Sequence, residues 1–238
     1  MLDHLKRLEQ LRGTHGHPAI LNPSDAKNAI PTQALARLKR WQHKRLAHTY
    51  QDLLVDKRYQ LAAEFFLNEV YGSMETLNPS ARDKDLVRMY PTMKRLLPQS
   101  AFETVTNALA LDVLSEEFDQ ALAGVLGSQP INAKSYAAAF RKVGLKKARL
   151  DQVQLMHDVG HGLDAVVKKP ILYTTLILLR GPSKLAGLTN MQRFLEAGFK
   201  AFRQMKGADY FLATIAARET ALITAIFASE EINFPFEE

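Results

Sequence analysis

The chain has 238 residues, of which 47% are hydrophobic and 24% are charged, so it can bury a substantial core as a globular protein. It contains no cysteine, which excludes disulfides, thiolate metal sites and cysteine nucleophiles. The formal net charge of +6 mildly favours anionic partners but does not identify one.

The N-terminal region, residues 1–30, is predicted to form a short amphipathic helix and then a connector arm rich in histidine, proline, asparagine and glycine. The helix lacks the uninterrupted apolar stretch of a signal peptide. The longest apolar run, Pro170–Leu179, is too short for a bilayer, which takes about 20 residues. We therefore expect a cytoplasmic protein with no membrane span.

Residues 31–229 are predicted to form one helical domain, followed by an acidic tail at residues 230–238. Pro31 suits the first turn of a helix that continues to about Val55. The leucines of this helix recur on one side, and its basic residues, with Trp41 among them, are expected on the outer face.

The stretch Gln60–Pro98 combines the densest apolar and aromatic helix of the chain with a polar turn and a second, charged helix. The first helix is apolar over so much of its surface that we expect it in the middle of a bundle. A structural polar cluster is expected around the turn, comprising Asn68, Glu69, Arg82, Asp83, Asp85 and Arg88. Helix capping and intrahelical ion pairs account for these side chains, and a functional polar surface is the alternative.

From Pro98 onward the pattern predicts further helices, with a kink or new start near Asp112–Ser115 and a capped helix over Ala133–Val143. The apolar run at Pro170 has the β-branched content of a strand, but the chain offers no second strand to pair with it. We therefore predict a buried helix that ends at Gly181-Pro182. The total of roughly nine or ten helices predicts an all-α, single-domain, multi-helix bundle.

The sharpest candidate for chemistry is a histidine-rich helical segment in which His157, His161 and Asp164 share one face. Two histidines one turn apart can share a divalent metal, and the carboxylate can be a third ligand or orient a histidine. The segment resembles the HD signature of metal-dependent phosphohydrolases, which implies that His157 and Asp158 are metal ligands and that His161 lines a phosphate site. That superfamily needs another histidine at moderate distance, and the nearest one upstream, His48, is far away, so a polar helix face is the alternative.

A second candidate is an anion-binding surface on the first helix of the domain, formed by Arg37, Arg40, Lys44 and Arg45. A cation-rich helix binds phosphates through charge, and the nearby Trp41 could stack on a base. An ordinary solvated face is the alternative, because no nucleic-acid-binding module accompanies this helix.

A third feature is the pair of carboxylates on otherwise apolar helix faces, Glu196 and Glu219. A buried Glu219 would need a basic partner, for which Arg193 or Arg203 of the preceding helix is the prediction. No Glu-x-x-His motif occurs in the chain, which argues against a ferritin-like di-iron protein.

Four segments carry a resemblance to a family: FFLNEVYG (Phe65–Gly72), RDKDLVRMYP (Arg82–Pro91), LLRGPSKLAGL (Leu178–Leu188) and FLATIAARET (Phe211–Thr220). Together they resemble a family of uncharacterised all-helical bacterial proteins. The resemblance implies an all-α fold and a cytoplasmic setting, and it implies no activity.

The absence of a complete catalytic set beside abundant apolar helix faces predicts a non-enzymatic binding or interaction protein without a cofactor. A metal-dependent phosphohydrolase that uses His157, Asp158, His161 and a divalent metal is the alternative, so an enzymatic role stays open. Nucleic-acid binding through Arg37–Arg45 is a third interpretation. A homodimer, a protein partner and an apolar or anionic small molecule all remain open as partners.

Overall fold

Helices account for nearly all of the chain that the computed structural model describes, which is residues 32–71, 94–95, 97–185, 187, 189–234 and 236. The α-helices are α1 (Thr32–Thr49), α2 (Gln51–Val55), α3 (Gln60–Glu64), α4 (Gln99–Leu126), α5 (Ala133–Val143), α6 (Lys146–Val167), α7 (Pro170–Leu178), α8 (Arg180–Leu185), α9 (Thr189–Met205) and α10 (Asp209–Phe227). A π-helical segment, Phe65–Tyr71, continues α3. These residues contain no strand, so the predicted all-α, multi-helix fold is confirmed.

Two predictions fall outside the described residues. One is the N-terminal helix and arm of residues 1–30, and the other is the charged helix that carries Arg82, Asp83, Asp85 and Arg88. Asn68 is the one member of the structural polar cluster whose side chain is described, and it is exposed.

Helix α5 begins and ends at the predicted residues because both of its ends are capped. The side-chain oxygen of Asn132 accepts a hydrogen bond from the amide of Ser135, and the hydroxyl of Ser135 accepts one from the amide of Asn132. At the other end, Gly144 adopts a φ of +75°, which a residue with a side chain rarely does, and its amide donates to the carbonyl of Phe140.

The chain folds into two compact units that are each assembled from distant segments. Of the described residues, unit 1 contains those in 32–45, 106–156 and 215–236, and unit 2 contains those in 46–105 and 157–214. Each boundary falls inside one of the helices α1, α4, α6 and α10. Each of these four helices therefore contributes residues to both units.

Of the predicted kink or new start near Asp112–Ser115, the new start is wrong, because α4 is continuous over 28 residues. Its first turns belong to unit 2, where Ala101 is buried, and its later turns belong to unit 1, where Phe118 and Leu122 are fully buried. The apolar stripe changes side because one helix supplies two cores, and no break is needed.

The core of unit 1 contains an aromatic cluster around Trp41, so the prediction that Trp41 lies on an outer face is wrong. Its ring stacks on Tyr136 with a centroid distance of 4.5 Å. The rings of Phe234 and Phe236, from the acidic tail, approach it edge-on at 5.4 and 5.8 Å. The tail is therefore docked on unit 1 through its two aromatic side chains.

The core of unit 2 is built on the aromatic helix that the sequence placed in the middle of a bundle. Phe65 is buried and its ring lies 5.1 Å from that of Phe194. Phe66 approaches Phe202 and Phe211 at 5.9 and 5.8 Å. The predicted helix does continue to Tyr71, but it is π-helical from Phe65 onward.

Helix α7 forms from the apolar run, as predicted, yet the prediction that it is buried is wrong. Leu172 is 6% exposed, whereas Ile171 is 66% and Leu178 is 72% exposed. The helix also ends before Gly181-Pro182, which lies in the first turn of α8. A proline is tolerated in that turn because its missing N–H would have no intrahelical acceptor there.

Helix α10 has the length and apolar composition of a membrane-spanning helix, although no span was predicted. Core helices of globular proteins meet the same criterion, and α10 buries Phe211 and Leu212 in unit 2 and Ile223 and Ile226 in unit 1. It also carries Glu219, which is ion-paired within unit 1. These four residues join α10 to the two cores, but only 22% of its apolar stretch is buried, so most of the helix is not enclosed.

Candidate functional site

Helix α6 carries the histidine-rich segment, and its two glycines allow neighbouring helices of unit 2 to approach closely. A Cβ atom on Gly160 would collide with the side chain of Leu212 on α10. A Cβ atom on Gly162 would lie 2.5 Å from the hydroxyl oxygen of Thr104 on α4. Glycine is therefore needed at both positions because α10 and α4 lie against α6 there.

The two histidines of α6 point their Nε2 atoms at each other, 3.2 Å apart. The Nδ1 atom of His157 lies 3.8 Å from a carboxylate oxygen of Asp158, and that of His161 lies 3.6 Å from one of Asp209 on α10. The structure thus brings together His157 and His161, as the spacing predicted, and adds Asp209, which no pattern in the sequence singled out.

The predicted four-residue metal set is otherwise not brought together. Asp158 faces the Nδ1 side of His157, away from the point where the two Nε2 atoms meet. Asp164 is buried and accepts a hydrogen bond of 2.6 Å from the ammonium of Lys168. Within the described part of the chain, no group of three or more histidine, aspartate or glutamate side chains is arranged to hold a metal ion.

The predicted anion-binding surface on α1 is divided between surface and interior. Arg37 donates hydrogen bonds to the carbonyls of Gly127, Ser128 and Gln129, and the buried Arg45 forms a two-point ion pair with Glu219 at 2.8 and 3.1 Å. Arg40 and Lys44 are exposed. Two of the four residues thus have structural partners, and the other two lie on the surface.

The ion pair with Arg45 also corrects the predicted partner of Glu219. The carboxylate does need a basic partner, as predicted, but that partner comes from α1 and is not Arg193 or Arg203. The residues that form the pair are 174 positions apart in the sequence, so local spacing could not identify them.

A layer of buried polar groups surrounds this ion pair in unit 1. Gln42 donates to Asp119 at 3.0 Å, and burial raises the pKa of Asp119 against the lowering effect of that hydrogen bond. The guanidinium of Arg149 lies over the rings of Phe118 and Phe140, at 3.6 and 4.4 Å from their centroids. These groups are buried in the core of unit 1, where a polar network of this kind makes the packing more rigid.

In unit 2, the segment 168–206 concentrates the positive charge of the protein. It contains five lysines and three arginines and a single acidic residue, Glu196, so its net charge of +7 exceeds the +6 of the whole chain. The guanidinium of Arg180 donates to both carboxylate oxygens of Glu196, from Nε at 2.7 Å and from Nη2 at 2.6 Å, and chiefly this contact lowers the pKa of Glu196 to about 2. This cationic surplus was not among the predictions from the sequence, although counting the charges along the chain reveals it.

A cleft of 340 Å³ lies beside the exposed helix α7, between it, the end of α6 and the end of α9. Lys168, Tyr173, Arg203 and Lys206 are among its lining residues. The guanidinium of Arg203 lies 5.3 Å from the centre of the Tyr173 ring, and neither Arg203 nor Lys206 has an ion-pair partner among the described residues. This side of unit 2 therefore offers cations next to apolar side chains.

Asp164, which lines the cleft, has one buried carboxylate oxygen that accepts no hydrogen bond in the described structure. Its other carboxylate oxygen binds Lys168. The hydrogen bond and the charge of Asp164 raise the pKa of Lys168, so Lys168 stays cationic. Arg203 and Lys206 thus carry the uncompensated positive charge of the cleft.

Comparison with known proteins places the chain in a family without assigning it an activity. No curated protein and no solved structure matches the chain. A family model described as "Domain of unknown function (DUF8198)" matches residues 22–232, which is most of the chain. The protein therefore belongs to the DUF8198 family.

Proposed function

We propose that this protein is a non-enzymatic, cytoplasmic binding protein that attaches to an anionic lipid surface through its α7 face. We define the α7 face as two adjoining parts, the exposed side chains of Ile171 and Leu178 on one side of α7 and the cleft residues Tyr173, Arg203 and Lys206 beside it. The observation that carries the proposal is that these apolar side chains are exposed in the same segment that holds the cationic surplus of the chain.

The apolar part of the α7 face, formed by Ile171 and Leu178, is exposed in unit 2. A helix that is apolar on nearly every side is normally enclosed, and large exposed apolar patches mark interaction sites. Ile171 and Leu178 are seven residues apart and therefore lie above each other on one side of α7. Leu172 is directed into the unit and is buried. One side of α7 thus anchors the helix, and another is left for a partner.

The charges next to α7 match a lipid surface better than a second copy of the chain. In the segment 168–206 the single acidic residue is already bound by Arg180, so two copies that met through this segment would bring cations together. A bilayer with anionic headgroups supplies both phosphates for the cations and an acyl boundary for the apolar side chains. Tyr173, with an apolar ring and a polar hydroxyl, suits the boundary between them.

The expected strength is that of reversible attachment. Each lysine or arginine near an anionic surface contributes about 1 kcal/mol, and insertion of an isoleucine or leucine side chain contributes roughly 1.5–3 kcal/mol when complete. The α7 face therefore supplies on the order of 6 kcal/mol before ordering costs. This is far from the permanent insertion of a membrane-spanning helix.

The test is sedimentation of the protein with vesicles of phosphatidylcholine alone and of phosphatidylcholine mixed with phosphatidylserine. We expect binding to the mixed vesicles and little to the neutral ones. The double variant Ile171→Ser/Leu178→Ser should lose binding, and Arg203→Gln/Lys206→Gln should bind about 30-fold more weakly, since about 2 kcal/mol is removed.

Matched controls alter the same residue types elsewhere. Val55, which is 73% exposed on α2, is changed to serine, and Lys142 and Lys146, which are exposed in unit 1, are changed to glutamine. Equal binding of all variants, or no vesicle binding by the wild type, would reject the proposal. Light scattering distinguishes the remaining case, because a dimer that Ile171→Ser/Leu178→Ser converts to a monomer would show that a second copy covers α7.

A further inference from the structure

We infer that His157 and His161 form an open two-histidine chelate for a divalent transition metal, with Asp209 and Asp158 as carboxylates that orient the imidazoles. The remaining coordination positions would be filled by water or by a donor from another molecule. This site is separate from the α7 face and does not depend on lipid binding.

The spacing of the two nitrogen atoms already suits a shared metal ion. Zinc lies about 2.0–2.1 Å from a histidine nitrogen, and two nitrogens bound at a tetrahedral angle are then about 3.4 Å apart. The Nε2 atoms of His157 and His161 are 3.2 Å apart. A metal could therefore bind both rings without any rearrangement of α6.

The carboxylates favour the tautomer that a metal needs. Asp158 and Asp209 lie near the Nδ1 atoms of His157 and His161, at 3.8 and 3.6 Å. These distances are longer than a hydrogen bond, so each carboxylate acts through its charge, which favours a hydrogen on Nδ1 and a free Nε2 lone pair. The two Nε2 atoms lie within hydrogen-bond distance of each other, so without a metal one ring can donate an Nε2–H to the other, and a bound metal ion would replace that hydrogen.

Helix packing explains why Asp209 is in position. Gly160, one residue before His161, allows Leu212 of α10 to lie directly against α6. This close approach brings the first turn of α10, which contains Asp209, alongside His161. The second carboxylate is therefore supplied by tertiary contact, in an arrangement similar to the carboxylate–histidine pairs that support metal ligands in proteins.

The class of metal follows from the donors and their exposure. Imidazole nitrogens suit zinc, copper and nickel, whereas magnesium and calcium prefer oxygen donors. Both histidine side chains are partly exposed, at 29% and 41%, so water or an outside ligand can complete the coordination. With two protein ligands within the described structure, we expect a readily exchangeable ion and not a permanently held structural one.

The test measures zinc, copper and nickel binding by isothermal titration calorimetry. His15 and His17 in the N-terminal region could also bind metal, so the experiment uses a His15→Ala/His17→Ala background. In this background we expect one ion per chain, and binding should be lost in His157→Ala and in His161→Ala. Asp209→Asn should weaken it about 10- to 100-fold, the usual effect of removing a carboxylate that supports a histidine ligand.

The controls separate loss of ligands from loss of structure. His43→Ala and His48→Ala on α1 should leave metal binding unchanged, and each variant is compared with the background by circular dichroism and thermal unfolding without metal. Added zinc should raise the unfolding temperature of the background and not that of a folded His157→Ala variant. No binding in the background, or undiminished binding in folded His157→Ala and His161→Ala variants, would overturn the inference.

Discussion

Helices α1 and α7 differ in how their composition relates to burial: the charged helix has buried residues, and the apolar helix has exposed ones. Helix α1 is rich in lysine and arginine, yet it buries Trp41 and Arg45 in unit 1. Helix α7 consists almost entirely of apolar residues and threonine, yet Ile171 and Leu178 are exposed in unit 2. The comparison shows that residue type alone does not decide burial when distant partners satisfy charges or when neighbouring helices cover one side only.

The reason lies in what the rest of each unit supplies. On α1, the charge of Arg45 is neutralised by Glu219, and the apolar ring of Trp41 is enclosed by aromatic residues of α5 and of the tail. On α7, the neighbouring helix α9 supplies Phe199, which packs on Tyr173, and leaves the side with Ile171 and Leu178 uncovered. Buried cations and exposed leucines have the same cause. A side chain is buried where the fold places suitable partners against it, and it stays exposed where the fold places none.

The largest expected effect tests the burial of α1. Arg45→Ala removes the two-point ion pair of the mostly buried Glu219 carboxylate, which should lower the free energy of unfolding by about 3–5 kcal/mol. Lys44→Ala, on the exposed side of the same helix, should change it by about 0.5 kcal/mol or less. Urea unfolding measures both, and similar values for the two variants would contradict the buried position of Arg45.

The next effect tests the two sides of α7. Leu172→Ala removes a buried side chain and should cost about 2–5 kcal/mol of the free energy of unfolding. Leu178→Ala, six residues later on the same helix, should cost about 0.5 kcal/mol or less. If urea unfolding shows a large loss for Leu178→Ala, the exposed side of α7 is covered in solution.

A smaller effect tests the close packing that positions Asp209. Gly160→Ala forces a methyl group into the buried side chain of Leu212, which should cost about 1–3 kcal/mol through overpacking. Gly181→Ala, in α8, meets nothing within 4 Å and should be neutral or stabilise by up to about 1 kcal/mol. Thermal unfolding of the two variants should therefore show shifts of different size, and equal shifts would show that α10 is not held tightly against α6.

The smallest effect depends on pH and tests the ion pair beside α7. The pKa of Glu196 is about 2, below the ordinary 4.5, so its contribution to stability is complete above pH 4.5 and is lost as the pH falls towards 2. Arg180 is 57% exposed, so solvent screening keeps this contribution small. Glu196→Gln should therefore lower the free energy of unfolding at neutral pH by less than Gly160→Ala does. A difference from wild type that persists unchanged below pH 4.5 would contradict the assignment.

Local features were predictable because they depend on neighbours in the sequence. The cap of α5 at Asn132 and its end at Gly144 were predicted correctly, since both depend on residues within one or two turns. The spacing of His157 and His161 on one face was also readable, because four residues make about one helical turn. The position of Asp209 beside His161 could not be predicted from the sequence, because it results from the packing of two helices.

The order of residues is enough to predict that this protein is helical, where several of its helices begin and end, and that Glu219 requires a basic partner. Helix propensity, capping and apolar periodicity depend on residues within one or two turns, so they can be predicted from the sequence. The tertiary structure alone decided that Arg45 is that partner, that Trp41 is enclosed and that α7 keeps one apolar side exposed. These outcomes depend on contacts between residues far apart in the chain, where the free energy of burial is set by whichever side chains the fold brings together.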